Sequence, residues 1–216
     1  MSDRASKSVA AQGQAGDENP SAPAALSFED EALVDKCRKG DMQAFGLLVA
    51  KHQDRLVNMV HRMIGRWAEA QELAQEAFLK ALERISQFRN QSSFYTWLFR
   101  IAANLAISHR RRSVRLRFGL LDEGLEGTQA HSLGDCVAQS REQSPQAVAQ
   151  LAEDSKRVAE ALDRLDDDYR LVIILRDMED MDYAQISRVL DVPPGTVKSR
   201  LHRARLMLKG LLGEQA

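Results

Sequence analysis

Tyr183-Ala-Gln-Ile186-Ser-Arg-Val-Leu190-Asp-Val192-Pro193-Pro194-Gly195-Thr196-Val197-Lys198-Ser199-Arg200-Leu201 is the most informative stretch of this chain. Ile186, Val189 and Leu190 recur at helical spacing, so a short helix with one apolar face is expected. Two prolines follow that cannot continue it. Gly195 would let the chain turn tightly, and Thr196 would cap a second helix. This is the pattern of a helix-turn-helix. In the second helix Val197, Leu201, Ala204 and Leu208 fall on one face at about 100° per residue. Lys198, Ser199, His202, Arg203, Arg205 and Lys209 spread over the other. An apolar back and a cationic front suit a helix lying in the DNA major groove, contacting phosphates and base edges. An ordinary amphipathic terminal helix would explain the face but not the turn.

Working backwards, a second region concentrates aromatic residues and arginines. Phe94, Tyr95, Trp97 and Phe99 open a helix that ends in Arg110-Arg111-Arg112. Trp97, Ile101 and Leu105 are spaced to face a core. Arg100, Asn104 and Ser108 form a neighbouring polar stripe able to hydrogen-bond base edges, while the arginines hold phosphates. The polar loop Asn90-Gln91-Ser92-Ser93 just before it could receive an unstacked base.

The rest of the chain is consistent with an all-α protein of two small helical domains joined by a flexible linker. Residues 1–27 lack a periodic apolar face and are expected as a disordered tail. A first domain spans 28–112, a Gly-containing linker 113–153, and a second domain 154–216. Gly40 should stop the first helix and Asp41 cap the next. No stretch alternates as a strand would. The formal net charge is −1 over 216 residues, yet it is strongly partitioned. Basic blocks at Arg110–Arg117 and Lys198–Lys209 are separated by acidic connectors, giving two cationic patches.

No apolar run is long enough for a bilayer, and no secretory signal opens the chain. Two cysteines without a Cys/His cluster argue against disulfides and structural zinc, and fit a cytoplasmic setting. Neither a nucleophile–base pair nor a phosphate loop is recognisable, so no catalytic residue, metal, cofactor or small-molecule substrate is expected. Asp166, Asp167 and Asp168 are consecutive and cannot share one helical face as ligands would.

Taken together, these regions resemble the extracytoplasmic-function (ECF) sigma factors of the sigma-70 family. The motifs are Leu73-Ala-Gln75-Glu76-Ala-Phe78-Leu-Lys80-Ala, Phe88-Arg89 through Asn104-Leu-Ala, and Leu175-Arg176 through Arg205. The resemblance covers about residues 31–112 and 154–209. It implies that Glu72, Gln75 and Glu76 dock on the β′ clamp helices of core RNA polymerase, with the β flap as a further contact. It implies melting and reading of a −10 element by Asn90, Gln91, Ser92, Ser93, Arg100, Asn104 and Ser108, with Arg110, Arg111 and Arg112 beside them. A −35 element would be read by Lys198, Ser199, His202, Arg203 and Arg205, supported by Arg176, Tyr183 and Thr196. An anti-sigma factor partner is implied as well. The chain departs from the group's pattern at Asn90 and Gln91, where glycine and aspartate are usual, and at Asp166, Ala184 and His202. The main competing reading is a free-standing helix-turn-helix regulator, which leaves the Leu73–Arg112 block without a role.

Overall fold

A computed structural model describes residues 22–121 and 145–213 of the chain, and all its regular elements are helical. The N-terminal lobe comprises α1 (Ala22–Arg38), α2 (Met42–Ile64), α3 (Trp67–Glu83) and α4 (Phe94–Leu121), with a 3-10 turn at Ile85–Gln87. The C-terminal lobe comprises α5 (Pro145–Asp163), α6 (Asp167–Ile173), α7 (Tyr183–Leu190) and α8 (Pro194–Gly213). A π-helical turn, Ile174–Met178, continues α6.

Local chemistry sets the boundaries. Gly40 ends α1 at φ 93°, a left-handed conformation that costs glycine little. Asp41 then caps α2, accepting from the backbone N–H of Gln43 at 2.9 Å and of Ala44 at 3.2 Å. Gly65 closes α2 in the same left-handed region. Ser93 caps α4 by accepting from the Thr96 N–H at 3.2 Å.

Several features differ from the sequence expectation. Helix α1 begins at Ala22, α4 continues past Arg112 to Leu121, and α5 starts at Pro145. The expected tail up to residue 21 and the linker residues 122–144 lie outside the described residues. In the helix-turn-helix the turn is made by Asp191, at φ 56°, rather than by Gly195. Helix α8 starts at Pro194, whose missing N–H and fixed φ suit a first helical position. Thr196 therefore sits inside the first turn, its N–H bonded to the Pro193 carbonyl at 2.9 Å, and is not the cap.

The N-terminal core is built from Leu48, Leu56, Met59, Val60 and Met63 of α2, Ala70, Ala74 and Ala77 of α3, and Leu98, Ala102 and Ala106 of α4. The small residues of α3 and α4 let these helices approach closely. In α4 the deepest positions are Phe94, Leu98, Phe99 and Ala102; Trp97 and Leu105 lie at the half-buried margin of the face they were expected to lead. In the other lobe Leu171, Val172, Ile173, Ile174 and Leu175 form a buried run met by Ile186, Val189, Val197, Leu201 and Ala204. The two sets of buried side chains join in one continuous cluster, so the lobes are packed on each other. Helix α7 lies against α4, and the α6 region against α2.

Candidate nucleic-acid interface

Helix α8 presents the split that its sequence predicts. Val197, Leu201 and Ala204 are buried, and Leu208 is half-buried behind them. Lys198, Ser199, His202 and Arg203 are exposed. The first, third and fourth have no ion-pair partner among the described residues, whereas the Ser199 hydroxyl donates to the Thr196 carbonyl at 3.0 Å. Arg205 is also exposed but grips the Asp177 carboxylate with two nitrogens, Nε at 3.1 Å. Arg176 donates to the Met181 carbonyl at 2.8 Å and stacks over the Tyr183 ring, 5.6 Å from its centre. Arg176 and Tyr183 thus brace the start of α7, which Asp182 and Gln185 close with a reciprocal capping box.

The α4 surface is arranged differently. Asn104, Ser108, Arg111 and Arg112 are exposed. Arg100 is exposed but paired with Asp191 of the C-terminal lobe at 3.1 Å. Arg110 is more deeply engaged, reaching Asp167 at 2.6 Å, Asp163 at 3.0 Å and the Met63 carbonyl at 3.0 Å. In the preceding loop Asn90 takes a left-handed φ of 54° and accepts from Arg38 at 3.3 Å. Arg38 also donates to the Phe88 carbonyl, which ties the loop to α1. Gln91 is exposed and Ser92 half-buried. Ser93 is occupied as a cap, and its hydroxyl also meets the Thr96 hydroxyl at 2.8 Å. Beneath the loop, Phe88, Phe94 and Trp97 pack edge-to-face and tilted with ring centres 4.9–6.3 Å apart, which gives the loop a rigid floor.

On α3, Glu72 and Gln75 are exposed and Glu76 half-buried, paired with Lys80 at 2.7 Å. Leu79, seven residues on from Glu72, joins the same face at 60% exposure, as helical spacing requires. The structure therefore groups the α3 residues on one surface and the α8 residues on another, while two members of the α4 set are tied to the C-terminal lobe.

A cluster absent from the sequence reading lies between the lobes. Glu179, 4% exposed, accepts from Arg55 Nε at 3.2 Å, Arg62 Nη1 at 3.1 Å and the Tyr95 hydroxyl at 3.0 Å. Arg55 also donates to the Glu179 carbonyl at 2.9 Å and lies 4.7 Å over the Tyr95 ring. Burial pushes the Glu179 carboxyl above its ordinary value, and the two guanidiniums with the tyrosine hydroxyl offset only part of that rise. Burial, joined by the Glu179 charge, also drives the Tyr95 phenol far above its ordinary value, so it stays a neutral donor. Partners 84 to 124 residues apart leave no local signal in a sequence. Among the described residues no cluster of His, Cys, Asp and Glu is placed to hold a metal ion, and no helix is long and apolar enough to cross a membrane.

Comparisons with known proteins converge on this arrangement. The family model Sigma-70 region 2 matches residues 48–116, and Sigma-70, region 4 matches residues 155–208. The RNA polymerase sigma-H factor of Pseudomonas aeruginosa is 37% identical over 82% of this chain and 90% of its own length. The ECF RNA polymerase sigma-E factor of Escherichia coli K12 is 34% identical over 82% of this chain and 90% of its own. In fold, the chain is similar to CnrH in its complex with the cytosolic domain of CnrY, at a TM-score of 0.62 and 24% identity over 87% of this chain and 99% of that one. It is similar too to the Bartonella quintana sigma factor RpoE in complex with the anti-sigma factor NepR, at 0.60 and 24% over 78% and 96%. A chain carrying both regions in order, and a third or more identical to the Pseudomonas aeruginosa and Escherichia coli factors over 90% of their length, belongs to the sigma-70 family, as an ECF RNA polymerase sigma factor.

Proposed function

We propose that this sigma factor joins core RNA polymerase and divides promoter recognition between its lobes. Helix α8 reads the −35 element: Lys198 and Arg203 hold phosphate and base edges, with Ser199 and His202 between them. Arg205, Arg176, Tyr183 and Thr196 hold that helix and its partner in place. The α4 surface melts and reads the −10 element through Arg100, Asn104 and Ser108, with Arg110, Arg111 and Arg112 on the backbone. Asn90, Gln91 and Ser92 border the pocket for an unstacked base, and Ser93 shapes it as a cap. The α3 face of Glu72, Gln75 and Glu76, widened by Leu79, docks on the polymerase clamp, with the flap as a second contact. An anti-sigma factor is a further partner, as in the complex of the Bartonella quintana relative.

The observation that supports this most is α8 itself, with a buried apolar back and a front whose Lys198, His202 and Arg203 are unpaired among the described residues. Reconstitution with core polymerase tests it. Specific transcripts should start downstream of a promoter selected by this chain, and only when the chain is present. A tight complex with palindromic DNA in the absence of polymerase would favour the free-standing regulator instead.

A further inference from the structure

We propose that Arg38, the last residue of α1, is a positioning residue for base capture: its guanidinium holds the Asn90–Ser92 loop in the form that admits the unstacked base. An arginine presents its N–H groups in one rigid plane, so it can meet several acceptors at once. Arg38 uses every nitrogen of its guanidinium. Nε donates to the Ile85 carbonyl at 3.4 Å, and Nη1 to the Asp35 carboxylate at 3.0 Å. Nη2 donates to the Phe88 carbonyl and to the Asn90 side-chain oxygen, the latter at 3.3 Å. The same group lies 5.8 Å from the centre of the Phe88 ring, against the aromatic floor of the loop. With 27% of the side chain exposed, this is a bracket rather than a solvated charge.

The loop needs such a bracket at its first residue. Asn90 stands at φ 54°, in the left-handed region that side chains enter only with compensation. Asparagine is among the few that do so, because its short amide finds a hydrogen bond. Here that bond comes from α1, 52 residues away in the chain. A glycine would reach the same φ unaided, yet would offer Arg38 no side-chain acceptor. Arg38 and Asn90 together therefore set the path on which Gln91 and Ser92 leave the floor. A pocket selects a base by where its polar groups stand. Released from α1, the loop would still lie near DNA but would no longer favour one base.

This inference rests on the reading of the loop as the base-receiving site, and the test separates the two. Holoenzyme assembled from core polymerase and the full chain is given fork templates. Their single-stranded −10 segment carries each base in turn at every unpaired position. The order of the Asn90, Gln91 and Ser92 amides in the free chain is measured by NMR relaxation. The wild-type chain should prefer one base at one position; no preference anywhere overturns the base-receiving role and this inference with it. Arg38→Ala should loosen these amides and flatten that preference about tenfold, as loss of a positioned hydrogen-bonding pocket requires. A uniform loss of binding with the ratio between bases intact would mark a merely structural role and overturn the inference. Arg38→Lys is the deciding variant, since it keeps the charge but not the fork. It should behave as Arg38→Ala does. Full preference with Arg38→Lys would reduce Arg38 to a charge near DNA. That result would overturn the inference, as would unaltered amides in Arg38→Ala, or loosened amides with preference intact.

Discussion

Two cationic surfaces on this molecule pair their arginines differently, α8 with carboxylates of its own lobe and α4 with carboxylates of the other. On α8 Lys198 and Arg203 are exposed and unpaired among the described residues, while Arg200 and Arg205 pair with Asp168 and Asp177 of the same lobe. On α4 the charge is partly spent, with Arg100 on Asp191 and Arg110 on Asp163 and Asp167. Composition treats the two alike, as basic stretches ending amphipathic helices. What separates them is the neighbour each one meets. An exposed arginine beside a carboxylate keeps its charge but loses much of its long-range pull on phosphate, because the pair is nearly neutral at a distance.

The comparison can be broken most severely from beneath α8. Leu201 is 2% exposed and anchors the helix to its partner. Leu201→Ala should cost about 3 kcal/mol in denaturant unfolding of the C-terminal lobe and abolish −35 recognition. Retained recognition would mean that the cationic front does not depend on its buried back. A smaller change separates the two surfaces directly. In the free chain Arg203→Ala should weaken duplex binding by about 2 kcal/mol, since its charge is available. Arg100→Ala should leave that binding nearly unaltered, because Asp191 already holds it. Equal losses in a titration of both variants would erase the distinction drawn here. At the N-terminal lobe's own helix start, Asp41→Ala should cost about 1 kcal/mol in thermal unfolding, because its carboxylate no longer accepts from the Gln43 and Ala44 N–H groups. An unchanged midpoint would show that water replaces the cap without cost.

The smallest effect is set by pH and belongs to one lobe only. Asp30, 2% exposed, meets His52 at 2.8 Å and Lys51 at 2.9 Å, fastening α1 to α2. Burial would push its carboxyl up, but the hydrogen bonds and charges of His52 and Lys51 outweigh that and hold it below the ordinary carboxylate range. A carboxyl depressed in the folded state contributes its stabilisation above its unfolded value and loses it as pH falls through the folded one. Amide exchange along α1 should therefore quicken in acid below the usual aspartate range and stay flat near neutrality. Exchange that stays unchanged in acid would remove Asp30 from the coupling.

Much of the fold was legible in the residues. Alternating apolar faces at 3.6 spacing marked the helices, and Gly40 with Asp41 marked a boundary whose chemistry is entirely local. The back of α8, Val197, Leu201 and Ala204, followed from spacing alone. Less legible was the turn between α7 and α8. Gly195 and Thr196 looked like turn and cap, but Asp191 takes the left-handed position, and Pro194 is compatible with the first helical turn. The Ser93 hydroxyl likewise serves α4 as its cap, a role that the polar composition of the loop does not reveal.

Sequence alone, then, determined the helices, their buried and exposed faces and the placing of positive charge, because each depends on residues within a few positions of one another. Only the tertiary structure decided which of those charges are available. Glu179 reaches Arg55, Arg62 and Tyr95 across 84 to 124 residues of chain. Pairings of that range arise from how the lobes pack, and no local pattern of residue types encodes them.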